Sequence, residues 1–267
     1  MILLIQPVRT VGRKLIHASH SAGKDLILLG RTALWLRSAW TKRHDILVQA
    51  YVAAIESLAV TVVVASFMGM ILALQAGLGL ARFGQQDLIA ALVSVAMARE
   101  MAPFITALIL AANVGSSMAA EIGTMAVSEE VEALEVMSID PVRFLVMPRV
   151  VALTIATPML TVVSNLVGNV GAAIVAFFQI GVTFQAYYQN AIEFIDLKDI
   201  YTGLFKAMVF GCVIATVGCG QGLRATGGAI GVGQATRTSV IVSFLQIIIL
   251  GYFLTSLFYG SDIQGGG

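Results

Sequence analysis

The sequence predicts an all-α membrane protein, in which an N-terminal interfacial helix precedes five transmembrane helices and one short helix lies between the second and third. Three observations carry this. Of 267 residues, 58% are hydrophobic and only 12% charged, with a mean hydropathy of +0.90; a soluble domain carries about a quarter charged residues. Several apolar runs exceed the roughly 18 residues that mark a spanning helix. Half of all Lys and Arg, namely Arg9, Arg13, Lys14, Lys24, Arg31, Arg37, Lys42 and Arg43, fall within the first 43 residues. That spacing is too sparse for a nucleic-acid arm and suits an anionic lipid surface.

Residues 15–43 set Leu26, Leu29, Ala33, Leu36 and Trp40 at three- and four-residue spacing with cations between them. This predicts an interfacial helix with Trp35 and Trp40 at headgroup depth and basic side chains snorkelling to phosphates; a short soluble helix is the alternative. The opening "MILLIQPVRTVGRK" runs apolar and then basic. A cleaved signal peptide has the reverse order, so the segment is expected to be retained.

The first span is expected near residues 54–80, where the only charge is Glu56, and Gly69, Ala73 and Gly77 recur at four-residue intervals. Small residues so spaced let a second helix approach closely. The turn "ARFGQQD" leads to a second span near 88–120. Residues 121–143, "EIGTMAVSEEVEALEVMSIDPVR", are acidic. Ser128 is a plausible N-cap, with Glu129 and Glu130 in the first turn where the helix dipole favours carboxylates, and Asp140-Pro141 ends the helix. Val131, Leu134 and Met137 would line one face; a solvated loop is the alternative.

The third span, near 148–180, carries a second stripe of small residues, Ser164, Gly168, Ala172 and Ala176. Residues 182–200, with mixed aromatics and charges, suit a partly helical segment at a membrane interface. A fourth span follows near 202–223, then the loop "RATGGAIGVGQATR", and a fifth near 238–259. With no repeat or linker in view, 1–267 reads as one domain: an interfacial segment 1–45, a five-span core 46–260 and a short tail 261–267.

Five spans put the termini on opposite sides. If the N-terminus is cytoplasmic, its eight cations join Arg143, Arg149, Arg224 and Arg237, against Arg82, Lys198 and Lys206 on the other side. That asymmetry fixes the orientation, with the acidic helix and the glycine loop cytoplasmic and the C-terminus periplasmic.

Several chemistries are excluded. His17, His20 and His44 all precede the spans, Cys212 and Cys219 lie on one face of one span, and no cluster has metal-ligand spacing. The glycines of "GAIGVGQAT" match Walker A spacing, but Gln234 and Ala235 stand where Lys and Ser/Thr are required. The chain cannot hold ATP in that way, and no cofactor is expected in it. The "VGSSM" serines, Ser116 and Ser117, have no base in sight.

Arg99 and Glu100, in "AMAREMAPFI", are the informative charges. A charge at mid-bilayer costs at least about 2.5 kcal/mol and must face protein or water. Counting from Leu88 puts the two about 17 Å deep, near the centre. Helix neighbours diverge by about 100°, so each needs its own partner; Glu56 and Lys206 are the candidates. Pro103 removes a backbone hydrogen bond to the turn that holds Arg99, so the helix is expected to kink or unwind there. Two readings stand: a structural interhelical ion pair, or a polar spot in a substrate cavity where Arg99 meets a lipid phosphate.

The run "REMAPFITALILAANVGSSMAAEIGTMAVSEEVEALEVMSIDPVRFLVMPRV" resembles the signature region of the MlaE family of ABC-transporter permeases, membrane subunits associated with MCE proteins. "GMILALQ" at Gly69 to Gln75 and "GGAIGVGQAT" at Gly227 to Thr236 also resemble family segments. The resemblance implies an inner-membrane permease with an N-terminal elbow helix, which dimerises, binds a separate ABC ATPase that holds the ATP, and meets a periplasmic MCE-domain protein; a STAS-domain protein is a further expected partner. The substrates would be phospholipids or related lipids. Arg99 and Glu100 fall on the family's Arg-Glu pair at the lipid cavity, and Gln75 completes the candidate substrate-binding set. Glu121 to Met137 covers the helix that docks on the ATPase, with Glu121, Glu129, Glu130, Glu132, Glu135 and Met137 as candidate coupling residues. Asn113 and Ile230 depart from the family pattern, which argues against an ion pair joining those two places. The rival reading is a self-sufficient channel or ion-coupled carrier in which Arg99, Glu100 and Glu56 form an ion relay.

Overall fold

The computed structural model describes residues 23–264 apart from 39 and 41. Residues 15–22 of the expected interfacial helix, with His17 and His20, and the end of the tail lie outside them. The described chain is helical: α1 (23–34), α2 (Arg43–Ala81), α3 (Gln86–Val127), α4 (Glu130–Val136), α5 (Val142–Ile180), α6 (Phe184–Phe194), α7 (Leu197–Leu223) and α8 (Gly228–Gln264). Five of these, α2, α3, α5, α7 and α8, are long and apolar enough to cross a bilayer. Chain order therefore gives the bundle one end with α1 and α4, the expected coupling end, and a distal end with the 82–85 turn, α6 and the end of α8.

The helices overrun the sequence-based spans. α2 begins at Arg43, eleven residues before the expected start, because Asp45 in its first turn is compatible with a helix and Glu56 sits on an exposed face. Its 39 residues reach about 58 Å, well beyond a bilayer core of about 30 Å.

The two small-residue stripes meet each other. On α2, Ser57, Thr61, Ala65, Gly69, Ala73 and Gly77 are all buried, and on α5 so are Ser164, Gly168, Ala172 and Ala176. A methyl group on Gly69 would fall on the carbonyl of Gly168, and one on Gly171 on the carbonyl of Ser66. The buried hydroxyls of Thr61, Thr157 and Thr161 each donate to the carbonyl four residues back on their own helix, while the buried Ser164 hydroxyl has no partner among the described residues. The opposite face of α2 carries Val63, Phe67, Ile71 and Leu78, all exposed.

A second seam escaped the sequence reading. α7 presents Gly203, Gly211, Gly218 and Gly222 to its neighbours, and the carbonyls of Ala98, Leu153, Gly115 and Ala119 occupy the places their side chains would take. α7 can thus pack against both α3 and α5 at backbone distance.

Two local expectations are corrected. Ser128 does not cap α4: α3 runs on to Val127, the Ser128 N–H donates to the carbonyl of Thr124, and Glu129 at φ 61 starts the short helix instead. The glycine loop is mostly helix. Only Arg224–Gly227 turn, with Gly227 and Gly228 at φ 86 and 73, and "AIGVGQAT" forms the first two turns of α8. α1, the described part of the expected interfacial helix, is docked on the bundle. Its buried Asp25, Leu28 and Thr32 face the bundle, while Leu26, Ile27 and Leu34 point outward. Asp25 is fixed by Arg224 Nη2, 2.6 Å from its Oδ1, at the end of α7.

Candidate functional site

The distal cluster is built on a defect in α3. Residues Met97–Met101 form a π-turn, a widened turn that places both Arg99 and Glu100 toward α7 although they are sequence neighbours. Such turns recur at functional sites. Pro103, the expected breaker, has no N–H for the carbonyl of Arg99; Lys206 Nζ takes that carbonyl at 3.0 Å. The helix unwinds locally into the wider π-turn, and a side chain from another span takes the freed carbonyl.

Arg99 and Glu100 do not pair with each other, as their spacing required. Arg99 Nε donates to Asp199 Oδ1 at 2.5 Å, and Lys206 Nζ donates to Glu100 Oε1 at 2.5 Å. Asp199 and Lys206 are seven residues apart on α7, two turns on one face. Lys206 was one of the two expected partners. Asp199 was missed, because its sequence context, "IDLKDI", marks a helix start, and it does close a capping box with Asp196. The other expected partner, Glu56, is exposed on the coupling half of α2 and makes no contact with the pair. The single chain therefore assembles no relay of Arg99, Glu100 and Glu56.

α8 completes the cluster. Thr255 Oγ1 donates to Glu100 Oε1 at 2.6 Å and lies 2.9 Å from Lys206 Nζ, while the Tyr259 hydroxyl donates to Asp199 Oδ1 at 2.9 Å. The Arg99 guanidinium lies over the Tyr259 ring, its carbon 4.5 Å from the ring centre. Because Asp199 is the third residue of α7, the cluster sits from the first to the third turn of that helix. It is thus nearer the distal end than the mid-bilayer depth counted along α3 alone.

Exposure divides each pair in the same way. The side chains of Asp199 and Lys206 are 1% and 0% exposed, whereas Arg99 and Glu100 are each 37% exposed. One charge of each pair is sealed in protein and the other opens outward. Gln75 does not join them: it is exposed on α2, on the face opposite the buried Ala73 and Gly77.

At the coupling end, Glu129, Glu130, Glu132 and Glu135 are all exposed and form no ion pair among the described residues. Val136 is 86% exposed and Met137 61%, while Val131 and Leu134 are half-buried. The segment is bracketed by two non-glycine residues at positive φ, Glu129 at 61 and Ser138 at 60, a conformation that costs about 1–3 kcal/mol at each position. Glu121 stands apart from this group. Its Oε2 accepts from Arg149 Nη2 at 3.0 Å, so it ties the end of α3 to the start of α5 at the base of the α4 hairpin. Asp140 pins the hairpin's other side, accepting from the Val142 N–H and from Trp35 Nε1. Between α4 and the segment after α1 lies a cleft of about 620 Å³ lined by Arg31, Trp35, Glu135 and Ile139.

Asn113 donates to Ser57 Oγ at 3.2 Å, and Ile230 is 78% exposed on α8. No ion pair joins the two places. Among the described residues no group of His, Cys, Asp or Glu could hold a metal ion.

Comparison with known proteins shows the family. The family model described as Permease MlaE matches residues 46–257. A probable ABC transporter permease protein of Synechocystis sp. is 37% identical over 240 residues, 90% of each chain. One from Rickettsia typhi is 38% identical over 203 residues, 76% of this chain and 78% of its own. The chloroplast protein Trigalactosyldiacylglycerol 1 of Arabidopsis thaliana is 34% identical over 212 residues, 79% of this chain and 59% of the plant protein. A helical bundle of five apolar spans, matched to that model over most of its length, makes this chain a multi-pass membrane protein belonging to the MlaE family of ABC-transporter permeases.

Proposed function

We propose that the chain is the membrane subunit of an ATP-driven transporter that moves phospholipids or related lipids between a bacterial inner membrane and a periplasmic MCE-domain partner. It works as a homodimer with its N-terminus cytoplasmic, and a separate ATPase, joined in some assemblies by a STAS-domain protein, binds the ATP. Membership of an ABC permease family implies an ATPase partner, and α4 with its four unpaired carboxylates is the surface suited to it.

The observation that carries the lipid reading is the division of the distal cluster. A purely structural ion pair has no need to leave one charge of each couple open, whereas a headgroup site does. Arg99, held by Asp199 and Tyr259, offers its remaining N–H groups to a phosphate, and the apolar outer faces of the spans accommodate acyl chains. The name of the plant relative, which contains a galactolipid, agrees with a lipid cargo. ATP-driven closure, received at α4 and passed through the Glu121–Arg149 tie into α3 and α5, would narrow a cavity between two copies and displace the lipid.

The test is reconstitution with the ATPase and MCE partner and a labelled phospholipid. Arg99→Glu, with Arg99→Gln as the milder change, is expected to lower ATP-dependent lipid transfer at least about ten-fold, one lost charge-assisted contact being worth roughly 1.5–3 kcal/mol, while ATPase binding is kept. Unchanged transfer by both folded variants overturns the reading.

A further inference from the structure

The distal cluster is neutral as a set: Arg99 and Lys206 against Glu100 and Asp199, with Lys198 and Asp196 adding one charge of each sign at its rim. Its open valences also have both signs. Among the described residues, neither terminal amino group of Arg99 has a hydrogen-bond partner, since only Nε is engaged by Asp199, and Glu100 uses Oε1 for both Lys206 and Thr255 while Oε2 has no partner. A cationic edge and an anionic edge thus come from adjacent residues on one π-turn, each anchored from behind by a sealed counter-charge.

A ligand of net negative charge would satisfy Arg99 and leave its excess facing Glu100. One carrying a phosphate and an ammonium would satisfy both edges and leave the site neutral, which matters where low dielectric makes an uncompensated charge costly. We infer that the site selects zwitterionic phospholipid headgroups over anionic ones, with the phosphate on the terminal nitrogens of Arg99 and the ammonium on Glu100 Oε2. This rests on the reading of the cluster as the lipid site and narrows its substrate class.

The remaining geometry fits that assignment. Lys206 cannot serve the phosphate, because it is fully buried and its Nζ is already held by Glu100, the Arg99 carbonyl and Thr255. The Arg99 guanidinium carbon lies 4.5 Å from the centre of the Tyr259 ring, which with Asp199 holds the group in place and leaves its terminal nitrogens for a phosphate. Selection then depends on Glu100: without its carboxylate the same Arg99 edge would take any phosphodiester.

The full-length protein is incorporated into nanodiscs containing equal amounts of phosphatidylethanolamine and phosphatidylglycerol with identical acyl chains, then extracted, and the retained lipid is measured by native mass spectrometry. The wild type is expected to retain the ethanolamine lipid about ten-fold over the glycerol lipid, the ratio equivalent to about 1.4 kcal/mol. Glu100→Gln alone strands the buried Lys206, so the informative variant is Glu100→Gln with Lys206→Gln, which keeps the cluster neutral and removes the anionic edge. It is expected to hold both lipids about equally. Arg99→Gln with Asp199→Asn, which removes the phosphate edge without stranding a buried carboxylate, is expected to lose both. Equal retention, or a preference for the glycerol lipid, by a wild type whose retention still depends on Arg99 overturns this inference and leaves the lipid site standing. No Arg99-dependent retention of either lipid overturns the underlying reading itself. Displacement of bound lipid by soluble glycerophosphoethanolamine at equal concentration would mark a site for a soluble zwitterion and also overturn the proposal.

Discussion

The two ends of the bundle treat charge in opposite ways. At the distal end, four ionic side chains from α3 and α7 are paired within the chain, and two hydroxyls from α8 add hydrogen bonds to the two carboxylates. At the coupling end, four carboxylates on and beside α4 are matched by nothing among the described residues and stand beside exposed Val136 and Met137. The contrast follows from the surroundings: a charge within a span must be compensated before the chain can fold in lipid, whereas one in water can wait for a partner. On the function proposed above, distal charges therefore report on internal architecture and a small ligand, and coupling-end charges on another protein.

The largest expected effect tests the internal matching. Glu100→Gln leaves Lys206 sealed without a counter-ion and is expected to cost about 3–5 kcal/mol, while Lys206→Met leaves Glu100, one-third exposed and able to take water, and costs less than half of that. Denaturation midpoints of the two variants in the same detergent measure the difference. If the lysine variant proves the less stable, the cluster is not sealed on the side the structure shows.

The next effect is on association. Replacing Glu129, Glu130, Glu132 and Glu135 together by Gln is expected to reduce ATPase co-purification at least about ten-fold, roughly 1.4 kcal/mol, with stability changed by no more than about 0.5 kcal/mol because the side chains are exposed. Undiminished recovery of the ATPase would erase the distinction between the two ends. Glu121→Gln provides the internal contrast: its carboxylate is engaged by Arg149, so its loss should disturb coupling without removing a docking charge.

What the sequence disclosed follows the same division. Period and composition revealed the five spans and both stripes of the α2–α5 seam, since small residues every four positions have few other uses in a membrane helix. That Arg99 and Glu100 need separate partners followed from helix geometry alone. The partners themselves were only half legible: Lys206 stands out as a lone cation in an apolar run, whereas Asp199 shares its segment with Asp196 and Lys198 and looks like a cap. The overrun of α8 was hidden because glycines read as a turn in water, yet in a packed bundle Gly231 and Gly233 remain helical and only Gly227 and Gly228 need positive φ. The seam of Gly203, Gly211, Gly218 and Gly222 was illegible since its spacing is uneven, and only the carbonyls it meets on α3 and α5 reveal its purpose.

One coupling-end charge behaves like the distal ones and sets the smallest, sharpest test. Asp25 is 4% exposed where α1 meets α7, and burial raises its carboxyl above the usual carboxylate range despite the opposing pull of Arg224. A group whose folded value lies above its unfolded one stabilises most when protonated, and that contribution fades as pH rises through the raised value. Docking of α1 should therefore tighten slightly between neutral pH and pH 4–5, the reverse of an Asp–Arg pair dominated by attraction. Intrinsic-rate-corrected hydrogen-exchange protection of residues 23–34 across that range reads the sign, with Asp25→Asn expected to flatten the dependence. Looser docking at low pH would mean that the attraction of Arg224 outweighs burial, and Asp25 would then belong with the water-facing carboxylates of its own end.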